Sequence, residues 1–126
     1  MTIASDGASS DVMVVDYGAG NLRSVVRAIE RVGFPVRVAE TPDGLLDAAV
    51  VVLPGVGAAA DTMRNLIQRG FVEPLKAYLA AGHPFLGVCM GLQALMTPSE
   101  EGGEHPCLDI LPGRVVQLPQ GQKVPH

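Results

Sequence analysis

The sequence predicts an α/β domain built on a doubly wound, mostly parallel sheet. Three observations point there: short apolar runs alternate with segments that are apolar at helical spacing, the connections between them are short, and the runs are hydrophobic at every position. Strands of that kind need cover on both faces. At 126 residues the chain is long enough for one domain with a real core and too short for two.

The elements follow in order. "MTIASDGASSD", residues 1–11, is a polar leader expected to be flexible, and the domain runs from residue 12 to 126. "VMVVDYGAGN" is a buried strand, Val12 to Val15, running into a glycine turn. Leu22, Val25, Val26, Ile29 and Val32 then share one helix face, with Asn21 placed to cap and Gly33 to stop. Pro35 to Ala39 alternates like a strand, and Thr41 and Pro42 suit the cap and first residue of a short helical turn. Ala49 to Leu53 is a strand, and Pro54 to Gly57 a second glycine turn. Met63, Leu66 and Ile67 mark a helix ended by Gly70; Val72, Leu75 and Leu79 mark another, with Pro74 in its first turn and Gly82 at its end. Pro84 to Val88 is a further strand, followed by a short helix through Leu92, Leu95 and Met96 that Pro98 stops. "SEEGGEHP" (99–106) is read as loop and Arg114 to Leu118 as a late strand.

Composition narrows the function. Hydrophobic residues make up 48% and charged ones 17%, which suits a folded domain, and a net charge of −4 lacks the basic footprint of nucleic-acid binding. No run is long enough to span a bilayer. With two cysteines and no secretory signal, a reducing cytoplasm is expected rather than a disulfide framework. Cys89, Cys107 and His105 give no zinc spacing, so neither metal nor cofactor is expected.

In a doubly wound sheet the functional residues lie at the carboxyl ends of the strands, where the glycine turns at 18–20, 54–57 and 87–91 fall. "GVCMGLQ" (Gly87 to Gln93) places Cys89 between two glycines at a strand-to-helix junction, the pattern of a nucleophile elbow. A helix N-terminus there favours thiolate, and the Met90 amide would point to where an oxyanion develops. Gln93, one turn on, could reach a polar substrate held at the sulfur. The competing reading is a small core cysteine whose glycines merely permit packing.

"GVCMGLQ" resembles the nucleophile motif of class I glutamine amidotransferases, and "PGVG" (Pro54 to Gly57) their oxyanion strand. "DYGAGNLRSV" (16–25), "LPGRVV" (111–116) and "KVPH" (123–126) are similar to the glutaminase subunits of imidazole glycerol phosphate synthases, enzymes of histidine biosynthesis. The resemblance implies a flavodoxin-like fold, incomplete here at its C-terminal end. It implies that Cys89 attacks the glutamine side-chain amide to form a thioester, and that ammonia passes to a (β/α)8 barrel cyclase partner. It further implies that the amides of Val56 and Met90 form an oxyanion hole, that Gly55, Gly57, Gln93 and Glu101 bind glutamine, and that Asn21, Lys123 and His126 face the partner. The family's histidine base and its glutamate lie downstream of "KVPH", so the chain is expected to be an N-terminal portion of that subunit, inactive alone. His83 precedes the strand leading to Cys89, which puts it roughly 17 to 20 Å away at about 3.3 Å per residue. His105 in its loop and His126 at the terminus are not positioned as bases either. After "PGVG", "AAADTM" lacks the aromatic or glycine expected of the family.

Two alternatives stand beside this. One is a non-catalytic partner of the cyclase. The other is a nucleotide-binding module, since "GAGNLR" begins as G-x-G and Glu40 lies about where a ribose-binding acid would; Arg23 at the third glycine position argues against it.

Overall fold

The computed structural model describes residues 11–99 and 105–121. Its sheet consists of β1 (Val12–Val15), β2 (Val36–Ala39), β3 (Val50–Leu53) and β4 (Phe85–Gly87), all parallel, in the order β2-β1-β3-β4. Val14 is level with Val52, and Leu53 with Gly87, so β1, β3 and β4 end at one rim. The three glycine turns therefore leave the sheet side by side.

Strand periodicity assigns the two faces. On one face Met13, Val15, Val51 and Leu53 pack with Leu66 of α2 (Ala59–Gln68), Phe71, and Leu75 and Tyr78 of α3 (Val72–Ala80). Burying side chains such as Leu66 and Phe71 stabilises the fold by about 1.5–3 kcal/mol each. On the other face Val12, Val14 and Val52 pack against Leu22, Val25, Val26 and Ile29 of α1 (Leu22–Arg31). Tyr78 closes the far rim: its buried hydroxyl donates toward the carbonyls of Ala48 at 3.1 Å and Pro84 at 2.9 Å, just ahead of β3 and β4. The expected doubly wound α/β architecture is what the chain forms.

Cover on both faces holds for β1 and β3 and fails at β4. Leu86 (55% exposed) and Val88 (38%) point to the α1 side, where α1 does not reach. Ile67 and Leu92, expected on buried helix faces, are also exposed.

Several boundaries depart from expectation for local reasons. Asn21 does not cap α1 in the usual way; it adopts φ 66°, and its Oδ1 accepts from the Ser24 hydroxyl at 3.0 Å instead of from a backbone N–H. Thr41 donates to Asp43, and the helical turn begins later, as a 3-10 turn over Leu45–Asp47 after Gly44 at φ 77°. The helix after Cys89, α4 (Met90–Gln93), has one turn, and the chain beyond it is tied to 107–113, with Leu108 N–H donating to Ala94 and Thr97 N–H to Gly113. Pro98 opens β5 (Pro98–Ser99), which pairs antiparallel with β6 (His105–Pro106), so both ends of the expected loop are strand. Arg114 to Leu118 forms no strand, only a bridge from Val115 to Ser99, and its Val116 and Leu118 are exposed. Among the described residues no helix is long and apolar enough to cross a membrane.

Candidate active site

Cys89 follows β4 at φ 56° and ψ −118° and caps the first turn of α4. Positive φ in a residue with a β-carbon is strained backbone, the kind held only when its surroundings dictate it. Here the surroundings are glycines. A β-carbon on Gly87 would lie 2.8 Å from Leu92 Cα and 2.9 Å from the Gly91 carbonyl oxygen, so strand and helix meet closer than any side chain allows. The amides of Leu92 and Gln93 both donate to the Cys89 carbonyl, at 3.0 and 3.1 Å, and Gly91 N–H donates to Val88 at 2.9 Å. The thiol is left exposed on the sharp bend. Cys107 is half-buried, and burial pushes its thiol above the ordinary range.

The second glycine turn lies against the first. Gly55 is buried where a β-carbon would meet Met90 Cβ at 2.9 Å and Gly91 N at 3.0 Å. Its carbonyl accepts from Met90 N–H at 3.3 Å. That bond revises one expectation. In a trans peptide the carbonyl of one residue and the N–H of the next point in opposite directions, so the Val56 N–H is turned away from Met90. The two amides expected to form an oxyanion hole do not converge in this conformation: Met90 N–H is occupied and Val56 N–H faces elsewhere. Val56 itself is exposed, and Gly57 takes φ 95°.

The loop after β1 completes the rim. Asp16 Oδ1 accepts from Gly18 N–H at 3.1 Å, and Arg69 Nη1 donates to the Asp16 carbonyl at 3.2 Å. Gly20 sits beside the Val56 side chain, 3.6 Å from where its β-carbon would be. Tyr17, fully buried, donates its hydroxyl to the Pro54 carbonyl at 2.7 Å. Its pKa is raised, chiefly by burial; a hydrogen bond with Thr62 works against that rise, and the Cys89 charge adds to it. No spacing in the sequence links Tyr17 or Thr62 to Pro54, and only the fold brings them together.

Gln93 is half-buried, and its Oε1 is shut off from solvent with no hydrogen-bond partner. An amide oxygen in that state is ready to accept from a bound donor. The His83 ring lies tilted against Tyr78, centroids 4.8 Å apart and planes at 40°, at the rim opposite Cys89. Glu101, Lys123, His126 and the His105 side chain lie outside the described residues. Among those described, no cluster of His, Cys, Asp and Glu is arranged to hold a metal ion.

Residues 13–120 match the sequence family described as glutamine amidotransferase class-I. The chain belongs to this family. The amidotransferase motifs singled out at 54–57 and 87–93 fall within that match, which favours the amidotransferase reading over the nucleotide-binding alternative. The imidazole glycerol phosphate synthase subunit HisH of Desulfitobacterium hafniense (strain DSM 10664 / DCB-2) is 50% identical over 113 residues, 90% of this chain and 54% of the relative. The HisH subunit of Chloroflexus aurantiacus is 52% identical over 116 residues, 91% of this chain and 55% of the relative. The chain thus spans about half the length of the curated relatives it matches. A solved structure described as a glutamine amidotransferase superposes with a TM-score of 0.67 at 20% identity, covering 79% of this chain and 52% of that one, which supports the amidotransferase fold.

Proposed function

We propose that this chain supplies the cysteine-bearing part of a glutaminase subunit of imidazole glycerol phosphate synthase, acting in histidine biosynthesis in the cytoplasm. The observation that carries the reading is Cys89 at φ 56° on an exposed bend between β4 and α4, within a chain about half identical to HisH subunits. The strain at Cys89 fits a nucleophile held out from the sheet for attack.

In this reading the Cys89 thiolate attacks the side-chain carbonyl carbon of glutamine. The C–N bond breaks, ammonia leaves with a proton from an acid outside the described residues, and water then cleaves the thioester to release glutamate. Gln93 Oε1, buried and unpartnered, accepts from the substrate. Gly55, Gly57 and Glu101 complete its cradle. To stabilise the oxyanion, the Gly55–Val56 peptide rotates so that the Val56 N–H takes the place of the carbonyl now bonded to Met90. Asn21, Lys123 and His126 face a (β/α)8 barrel cyclase that receives the ammonia.

A chloroketone analogue of glutamine tests the reading, because it alkylates a thiolate without needing a separate proton donor. The expected result is one adduct on Cys89, suppressed by glutamine and absent from Cys89→Ser. Labelling that glutamine does not suppress would remove the glutaminase assignment.

A further inference from the structure

Cys89 and the turns beside it are held by a hydrogen-bond chain that no motif announces. Tyr17 is fully buried just after β1, and its hydroxyl donates to the Pro54 carbonyl at 2.7 Å, the ideal length for such a bond. Proline has no N–H, so this carbonyl is the only backbone polar group Pro54 has for fixing the turn after β3. Pro54 and Gly55 are both buried, out of reach of water that could replace the hydroxyl. Thr62 of α2, also buried, hydrogen-bonds the same phenol. One residue further on, the Gly55 carbonyl holds Met90 N–H by a long bond of 3.3 Å, which a small shift of the turn would break.

We infer that Tyr17 is a positioning residue of this site: through Pro54 its hydroxyl sets the direction of the Gly55–Val56 peptide, and so decides whether Met90 N–H is occupied or open. The inference rests on the glutaminase reading for its functional meaning, and on geometry alone for the mechanical link. The ring packs in the core and phenylalanine would fill the same space. Only the hydroxyl reaches the turn. Without it the buried Pro54 carbonyl is orphaned, and the turn must move to satisfy it.

Tyr17→Phe tests this in the whole chain. Hydrogen exchange at the Met90 amide is expected to speed up about three- to tenfold relative to the Met13 and Val51 amides, the range that one buried hydrogen bond commands. A general loss of packing would accelerate all three together, and that result overturns the inference, as does an unchanged Met90. Thr62→Val leaves the Pro54 bond in place and is expected to raise Met90 exchange less; an equal or larger rise would refute the role assigned to the Tyr17–Pro54 bond. With the glutamine chloroketone, Tyr17→Phe should change the maximal labelling rate of Cys89 and leave the half-saturating concentration nearly as it was. A shift in half-saturation alone would make Tyr17 a determinant of binding and reject the positioning role. The two failures are distinct: unsuppressed labelling in the wild-type chain fails the glutaminase reading, whereas unchanged Met90 exchange in Tyr17→Phe fails this one.

Discussion

Gly91 lies against the carbonyl of Leu53 so closely that a β-carbon on Gly91 would overlap that oxygen. The same oxygen accepts from Val88 N–H at 3.0 Å, and Leu53 is fully buried in the central sheet. Neither partner can retreat.

Gly91→Ala is therefore expected to destabilise the domain by about 3 kcal/mol or more, the upper range for forcing atoms into a packed interior. Gly82→Ala is the matched control. Gly82 has φ 80° with open space around it, so alanine costs only the left-handed backbone penalty of about 1–2 kcal/mol. Denaturant midpoints of the two variants should fall in that order.

Alkylation should separate the cysteines. Cys89 is exposed on its bend, whereas burial raises the Cys107 thiol and keeps it protonated at neutral pH. Iodoacetamide at pH 7 followed by peptide mass spectrometry is expected to label Cys89 first. Labelling of Cys107 at an equal rate would mean that the elbow does not present its sulfur.

Alkaline pH should weaken the fold through its two buried tyrosines. Burial raises the pKa of Tyr17 and Tyr78 above the ordinary value of 10.0. The folded state then holds these protons more tightly than the unfolded state, so stability is full below about pH 10 and falls as pH climbs through and beyond it. Circular dichroism between pH 8 and pH 11 reads the loss. Tyr78→Phe should flatten the slope while lowering stability at pH 7 by about 1 kcal/mol, since the buried Ala48 carbonyl and the exposed Pro84 lose the hydroxyl they share.

The bare side of β4 should drive self-association. Among the described residues β4 pairs only with β3, and Leu86 and Val88 are exposed beside it, so in these residues an open strand edge adjoins an apolar surface. Leu86→Lys is expected to shift the chain toward monomer in light scattering without lowering its unfolding free energy by more than about 0.5 kcal/mol, as for a surface substitution. Unchanged association would place the contact elsewhere.

β1 and β3 were legible because each is an apolar run bounded by turn residues, and β2 because Val36, Arg37, Val38 and Ala39 alternate. The candidate elbow was legible because close backbone approach demands glycine at fixed offsets from Cys89. What escaped was set by contacts remote in sequence. Arg114 to Leu118 has strand composition, yet among the described residues it makes a single bridge, Val115 to Ser99, closed by Val115 N–H donating to Pro98, so propensity found no strand to pair with. The direction of the Gly55 carbonyl depends on Tyr17 and Met90, and no local pattern encodes it.

The strand order also shapes how the chain is made. β1 lies between β2 and β3, and all four of its side chains are buried. During synthesis at about 5–20 residues per second, the 35 positions separating Val15 from Val50 take roughly 2 to 7 s to emerge. Through that interval the most fully buried strand of the sheet is outside the ribosome without its second neighbour. The order β2-β1-β3-β4 thus makes a nascent chain of this sequence a natural client for chaperones that bind exposed hydrophobic segments, until β3 arrives to close the centre.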